Sequence, residues 1–240
     1  SIETADVVIA ADGIKSVVRN QLFDPSQIRD TKQICWRGVS KVSLPKDYNN
    51  KAVEAWGKGK RFGFVQINDQ DTYWYAVVNE SLINQNDDNL HDLFSDFNND
   101  VLNIIENTSE DTVIKNRMID LKPIHKWYSK NVCLLGDAAH ATTPNLGQGA
   151  CQAIEDAYLL AELYQEGKPI ETVFKEYQKL RIKKAHEIVN SSWRIGKIAH
   201  IENSFLIYSR NLLMRCIPKS ANNKQLQSIF NIDYFETKKI

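Results

Sequence analysis

Residues 131–160 read NVCLLGDAAHATTPNLGQGACQAIEDAYLL, and the rest of the chain is organised around them. Val132–Leu135 is a short apolar run closed by Gly136, the pattern of a buried strand. Asp137–Gly149 is rich in small residues and carries Pro144, Gly147 and Gly149, which predicts a loop. From Ala150 the period changes to helical. Ala150, Ile154, Ala157, Tyr158 and Ala161 share one face, expected to pack inward, with Glu155, Asp156 and Glu162 among the polar positions. Gly167 and Pro169 end the helix.

A strand, a small-residue loop and a helix N-terminus can cradle a ligand. Glycines let the backbone come close, and the free amides of the first helical turn carry partial positive charge. Asp137, just past the strand, can accept hydrogen bonds from polyol hydroxyls. The same pattern also suits a purely structural connection between strand and helix.

Gly136, Asp137, Ala138, His140, Pro144, Gly147, Gly149, Glu155 and Asp156 together resemble the GD motif of the FAD-dependent aromatic hydroxylases, the group A flavoprotein monooxygenases. The resemblance implies that Asp137 binds the FAD ribityl chain. It also implies that Pro144 and the backbone of Leu146, Gly147, Gln148, Gly149 and Ala150 support the flavin ring. Upstream, Asp12-Gly13-Ile14-Lys15-Ser16-Val17-Val18-Arg19 resembles the DG motif of the same enzymes. It implies that Asp12 and Arg19 support the phosphates, with the arginine holding the motif together.

The glycine fingerprint G-x-G-x-x-G of a Rossmann unit occurs nowhere in the chain. Ala5–Ala11, apolar apart from Asp6, is a run suited to the middle of a parallel sheet, and Ser1 is not a natural start. The chain is therefore expected to be the C-terminal part of a longer flavoprotein, with the missing N-terminal Rossmann half as a further partner.

Between the two motifs, Ile34–Ser40, Ala52–Trp56, Arg61–Asn68 and Thr72–Asn79 are strand-like, and Gly57-Lys58-Gly59 and Asp69-Gln70-Asp71 separate three of them as turns. Successive hairpins predict an antiparallel sheet, which the resemblance equates with a substrate domain. Its aromatic residues read as sheet core, or as one face lining an aromatic-substrate pocket. Alternation places Tyr73 and Tyr75 opposite Trp74. Leu90–Asn107 reads as one packing helix and Asp111–Leu121 as a strand. His125 reads as a solvated loop histidine with a pocket role as the alternative.

Ile170–Ile201 predicts one long helix or two, whose basic run Lys179, Arg181, Lys183, Lys184 reads as a solvated face. Ser204–Cys216 predicts a further helix, Ser220–Gln227 a loop, and Lys238–Ile240 a frayed end. The expected fold is α/β of mixed α+β character: part of a Rossmann-like FAD-binding domain, an antiparallel-sheet substrate domain and C-terminal helices. The expected domains are an FAD-binding segment at 1–30, the substrate domain at 31–122, a second FAD-binding segment at 123–168 and a helical region at 169–240.

Thirty basic residues balance thirty acidic ones, so neither nucleic acid nor an anionic membrane is an expected partner. Cys35, Cys133, Cys151 and Cys216 lack C-x-x-C spacing, which predicts buried free thiols in a reducing, cytoplasmic setting. The five histidines form no ligand motif, and no metal is expected. No stretch is apolar enough to span a bilayer, which predicts a soluble protein.

The resemblance implies a monooxygenase in which NAD(P)H reduces FAD and dioxygen supplies the atom that hydroxylates a small aromatic or heteroaromatic substrate. The cofactor does the hard chemistry, so no catalytic side chain is assigned. Two alternatives stand beside it. One is a flavin-dependent reductase or dehydrogenase on the same scaffold; the other is a catalytically silent partner half.

Overall fold

The computed structural model describes residues 3–23, 27–84, 89–216 and 234. Ser1, the expected loop at 220–227 and the expected frayed end at 238–240 lie outside the described residues. The chain divides into two compact units. The first comprises Ser1–Arg29, Ile119–Ile195 and Cys216–Ile240; the second comprises Asp30–Met118 and Gly196–Arg215.

In the first unit, β1 (Val8–Ala10), β7 (Tyr128–Ser129) and β8 (Val132–Leu134) form a sheet of order β1-β8-β7. β1 and β8 run parallel, with Ile9 beside Cys133, while β7 returns antiparallel. Around it lie α1 (Val17–Leu22), α4 (Asp137–His140), α5 (Gly149–Gln165) and most of α6 (Ile170–Ala199). The core joins Trp127, Leu134, Leu159, Leu163, Phe174 and Tyr177. The run at Ala5–Ala11 forms a strand of three residues at the sheet edge, paired among the described residues only with β8, and Ile9 remains 50% exposed.

In the second unit, β2 (Ile28–Ser40), β3 (Ala52–Trp56), β4 (Lys60–Gln66), β5 (Thr72–Asn79) and β6 (Ile114–Leu121) form a sheet of order β3-β4-β5-β2-β6. β2, β3, β4 and β5 pair antiparallel. β2 and β6 carry the chain across the boundary between the units, which also falls inside α6. One sheet face holds the core of Trp36, Phe62, Phe64 and Trp74, with Phe62 stacked on Trp74 at 5.4 Å. α2 (Leu90–Leu93) and α3 (Asn99–Glu106) supply Phe94, Val101 and Ile104 to it. Alternation sends Tyr73 and Tyr75 to the opposite face from Trp74. Last comes α7 (Ser204–Cys216). The mixed α/β fold is the expected one.

Four expectations are corrected. Leu90–Asn107 is two helices, because Asn98 accepts the Val101 N–H and starts α3 as a separate helix. The face of α5 bearing Ile154, Ala157, Tyr158 and Ala161 points outward, and Glu155 and Asp156 are buried instead. The basic run on α6 is not uniformly solvated: Arg181 is fully buried and Lys184 pairs with Glu155. Cys133 is buried, but Cys151 and Cys216 are exposed and Cys35 is half-buried; all four thiols are free.

Candidate functional site

β8 ends where Gly136 takes φ +60°, ψ −135°, a conformation open to glycine. A Cβ there would sit 3.0 Å from the Ala153 Cβ, so the glycine also lets the strand end approach α5. The chain then enters α4 directly, with Asp137 in its first turn and exposed. The expected loop thus begins as one helical turn. A carboxylate at that position is favoured by the helix end and remains free to accept hydroxyl donors.

The next segment is pinned to α6. Ser192 Oγ donates to the Thr143 carbonyl at 2.6 Å, and Asn145 Nδ2 donates to the Ser192 carbonyl at 2.8 Å. Pro144–Leu146 form a 3-10 turn that ends on Gly147 at φ +63°. A Cβ on Gly147 would meet nothing within 4 Å, and one on Gly149 only Thr142 Cγ2 at 3.5 Å. Both glycines therefore face open space. Gln148 is the N-cap of α5 and is buried, and no side chain caps the helix. Gly149 and Ala150 thus open a helix of 17 residues with its polarised end uncapped by side chains.

Asp12 and Arg19 lie in the same unit. Asp12 Oδ2 accepts the N–H groups of Val17 at 2.9 Å and Val18 at 3.3 Å, at the start of α1. Slight desolvation opposes ionisation, but hydrogen bonds from Ser16 and from the Val18 and Val17 amides hold the carboxyl below the usual range. Arg19 is fully buried and donates to the carbonyls of Ile14 at 2.5 Å and Ala138 at 2.8 Å. Arg19 therefore ties the turn after β1 to α4 through backbone atoms.

Behind this surface lies a buried polar network that the sequence reading missed. Asp156 Oδ2 accepts the Gly136 N–H at 3.0 Å and meets His140 Nε2 at 2.6 Å. Arg181 Nε donates to Asp156 Oδ1 at 2.7 Å, and Arg181 also reaches Glu155, Gln152 and Tyr234. Burial alone would raise the Asp156 carboxyl; His140 and Arg181 outweigh it and hold the group below its ordinary value. A signal was present: Val173, Tyr177, Arg181, Ala185 and Val189 recur every four residues, and all are buried.

The second unit carries its own polar surface on the sheet face of Tyr73 and Tyr75. Arg61 Nη1 donates to Glu54 Oε1 at 2.9 Å, and the Tyr75 hydroxyl donates to the same oxygen at 2.9 Å. Gly63 is required beneath them, because a Cβ there would overlap the Tyr75 ring. Burial raises the Cys35 thiol on this face and keeps it neutral. His125 is exposed in its loop, beside the His186 ring at 5.4 Å.

The family described as FAD binding domain matches residues 3–192. The chain belongs to that family. It is 38% identical over 216 residues to aurachin C monooxygenase/isomerase of Stigmatella aurantiaca, covering 88% of this chain and 56% of that protein. It is 32% identical over 237 residues to 2-heptyl-3-hydroxy-4(1H)-quinolone synthase of Pseudomonas aeruginosa, covering 96% and 61%. Among solved structures, Klebsiella pneumoniae HpxO in complex with FAD and uric acid superposes with a TM-score of 0.83 at 25% identity, covering 95% of this chain and 61% of that one. The chain thus spans roughly three fifths of the length of these relatives.

The residues present fit the cofactor of this FAD-binding family. An exposed carboxylate, two glycines open to space and an uncapped helix start lie along one short segment. They match a polyol, a flat ring and a site of negative charge respectively.

Proposed function

We propose that the whole protein is an FAD-dependent monooxygenase that hydroxylates a small aromatic or heteroaromatic compound with NAD(P)H and dioxygen. The observation that carries this reading is the segment Gly136–Ala150, where Asp137 and the open glycines precede the uncapped N-terminus of α5. FAD, when bound, supplies hydride acceptance and oxygen activation. Asp137 binds the ribityl hydroxyls. Pro144 and the backbone from Leu146 to Ala150 hold the ring, and the amides of the α5 first turn stabilise negative charge at its edge. Asp12 and Arg19 fix the loop beside the phosphates, Arg19 through the carbonyls it holds.

The sheet face bearing Tyr73, Tyr75 and Glu54 receives the substrate ring. Supporting an aromatic or heteroaromatic substrate, the three relatives above carry monooxygenase, quinolone and uric acid in their names or descriptions. Four free thiols suit a reducing compartment such as the cytoplasm. No helix among the described residues is long and apolar enough to cross a membrane.

The N-terminal Rossmann half is the proposed partner of the first unit. A groove of about 560 Å³, lined by Val7, Ile9, Leu135, Ala157, Ala161 and Tyr164, runs along the outward apolar face of α5 and the edge of β1. A parallel strand and its helix would bury these residues.

Substrate-stimulated oxygen uptake by the flavin-loaded protein tests the reading. Uptake that rises with an aromatic substrate and yields hydroxylated product supports a monooxygenase. NAD(P)H oxidation without oxygen incorporation would instead favour the reductase. No flavin retention would favour a silent partner half.

A further inference from the structure

We infer that Glu54 orients and selects the substrate by accepting a hydrogen bond from a ring N–H or O–H, which makes a neutral, donor-bearing ring the preferred substrate class. The inference rests on the hydroxylase reading above and adds to it a residue and a selectivity.

Glu54 lies on β3 opposite Gly63, and Gly63 lies opposite Tyr75 on β5, so the three share one sheet face. The missing side chain at Gly63 lets the Tyr75 ring lie flat and bring its hydroxyl to Glu54. Arg61, 3% exposed at its side chain, donates to the same oxygen, Oε1. Two donors therefore fix the carboxylate on one side. Its other oxygen, Oε2, takes no hydrogen bond among the described residues, and the Glu54 side chain is 28% exposed. An acceptor already held by two bonds orders little more on binding, so most of its hydrogen-bond energy reaches the ligand.

The surroundings suit a flat ring. Tyr73 and Tyr75 stand 6.5 Å apart on this face, and Val65 and Val39 flank Tyr73 in the register. Charge argues for a neutral ligand, since the Arg61 charge is matched by Glu54 and an anion beside that carboxylate would be repelled. The competing anchor is Arg37, opposite Tyr75 on β2, which would favour a carboxylate-bearing ring. Arg37 is exposed, so holding it to a ligand costs more side-chain entropy than using the fixed Glu54.

The test uses the flavin-loaded full-length protein and three probes: 4(1H)-quinolone, its N-methyl derivative, and salicylate. Calorimetry should give quinolone binding roughly tenfold to a hundredfold tighter than the N-methyl form, the effect of one charge-assisted hydrogen bond. Glu54→Ala should bring that ratio to about one and tighten salicylate. Glu54→Gln keeps the shape beside Arg61 and should fall between; it decides the matter if the alanine variant does not fold. An unchanged ratio in the variants, or a wild-type preference for salicylate, overturns the inference. If the protein hydroxylates an aromatic substrate with NAD(P)H and dioxygen but shows no preference for an N–H ring, Glu54 has been misassigned and the hydroxylase reading stands. If the flavin is not reduced and nothing binds, both fall.

Discussion

Arg181 and Asp156 meet at 2.7 Å with neither side chain exposed to solvent, and the same carboxylate holds the Gly136 N–H at 3.0 Å. One ion pair thus joins α6, α5 and the start of the flavin segment. Removing one partner leaves the other buried with only part of its compensation, since Asp156 keeps His140 and Arg181 keeps Glu155.

Asp156→Ala and Arg181→Met should each lower stability by about 3–5 kcal/mol, and the double variant by less than their sum. Denaturant midpoints for the two single variants and the pair would check this. Additive losses would mean that the two residues act independently.

Acidification should weaken the second unit through His200. Its Nδ1 lies 2.9 Å from the Gly196 carbonyl and its Nε2 3.4 Å from the Val77 carbonyl. Burial, and then the nearby Arg61 charge, lower it from 6.5 to about 4, against smaller opposing effects of the two carbonyls and Glu54. The unfolded chain therefore binds the proton first. The stabilising effect is complete above pH 6.5, and it declines as pH falls toward 4, where the folded state is also protonated. The loss is on the order of 3 kcal/mol. Chemical denaturation across that window should show the slope, and His200→Gln should flatten it.

Asp137→Ala should loosen FAD by on the order of 1 kcal/mol or more while stability changes little, because the side chain is exposed. Gly149→Val should slow turnover more than it lowers stability, since a Cβ there meets only Thr142 at 3.5 Å. Flavin retention after gel filtration and steady-state rates check the pair. Unchanged values would reduce the segment to a connector.

Residues 1–240 expressed alone should bind FAD weakly and self-associate, because the groove beside β1 and α5 exposes apolar residues such as Ile9 and Tyr164. Flavin fluorescence during titration gives the affinity. Stoichiometric binding at low micromolar FAD would contradict the proposed sharing of the site with a Rossmann half.

The sequence carried the strands and the turn chemistry well, because Ala52–Trp56 and Thr72–Asn79 hold β-branched and aromatic residues and their separators are glycine- or aspartate-rich. It located the glycines and Asp137 through a motif. Periodicity could not tell which face of α5 is inward. Its small apolar face competes with a second face holding Leu159, Leu160 and Leu163, and the latter wins because Arg181, 25 residues on, neutralises Asp156. Such a pairing is invisible within any helical window. The break at Asn98 was legible as a capping residue, but the apolar spacing from Leu90 to Ile105 ran through it. Arg19 shows the same limit, since its partners, the carbonyls of Ile14 and Ala138, carry no side-chain signal.

Isotope labelling tests the central claim most directly. The flavin-loaded full-length protein would turn over an aromatic or heteroaromatic substrate with NAD(P)H under ¹⁸O₂, and the product would be weighed by mass spectrometry. The account predicts one ¹⁸O atom in each hydroxylated product, with incorporation lost when FAD is removed. Product carrying oxygen only from water, or NAD(P)H consumed with all the dioxygen recovered as peroxide for every ring tried, would contradict it.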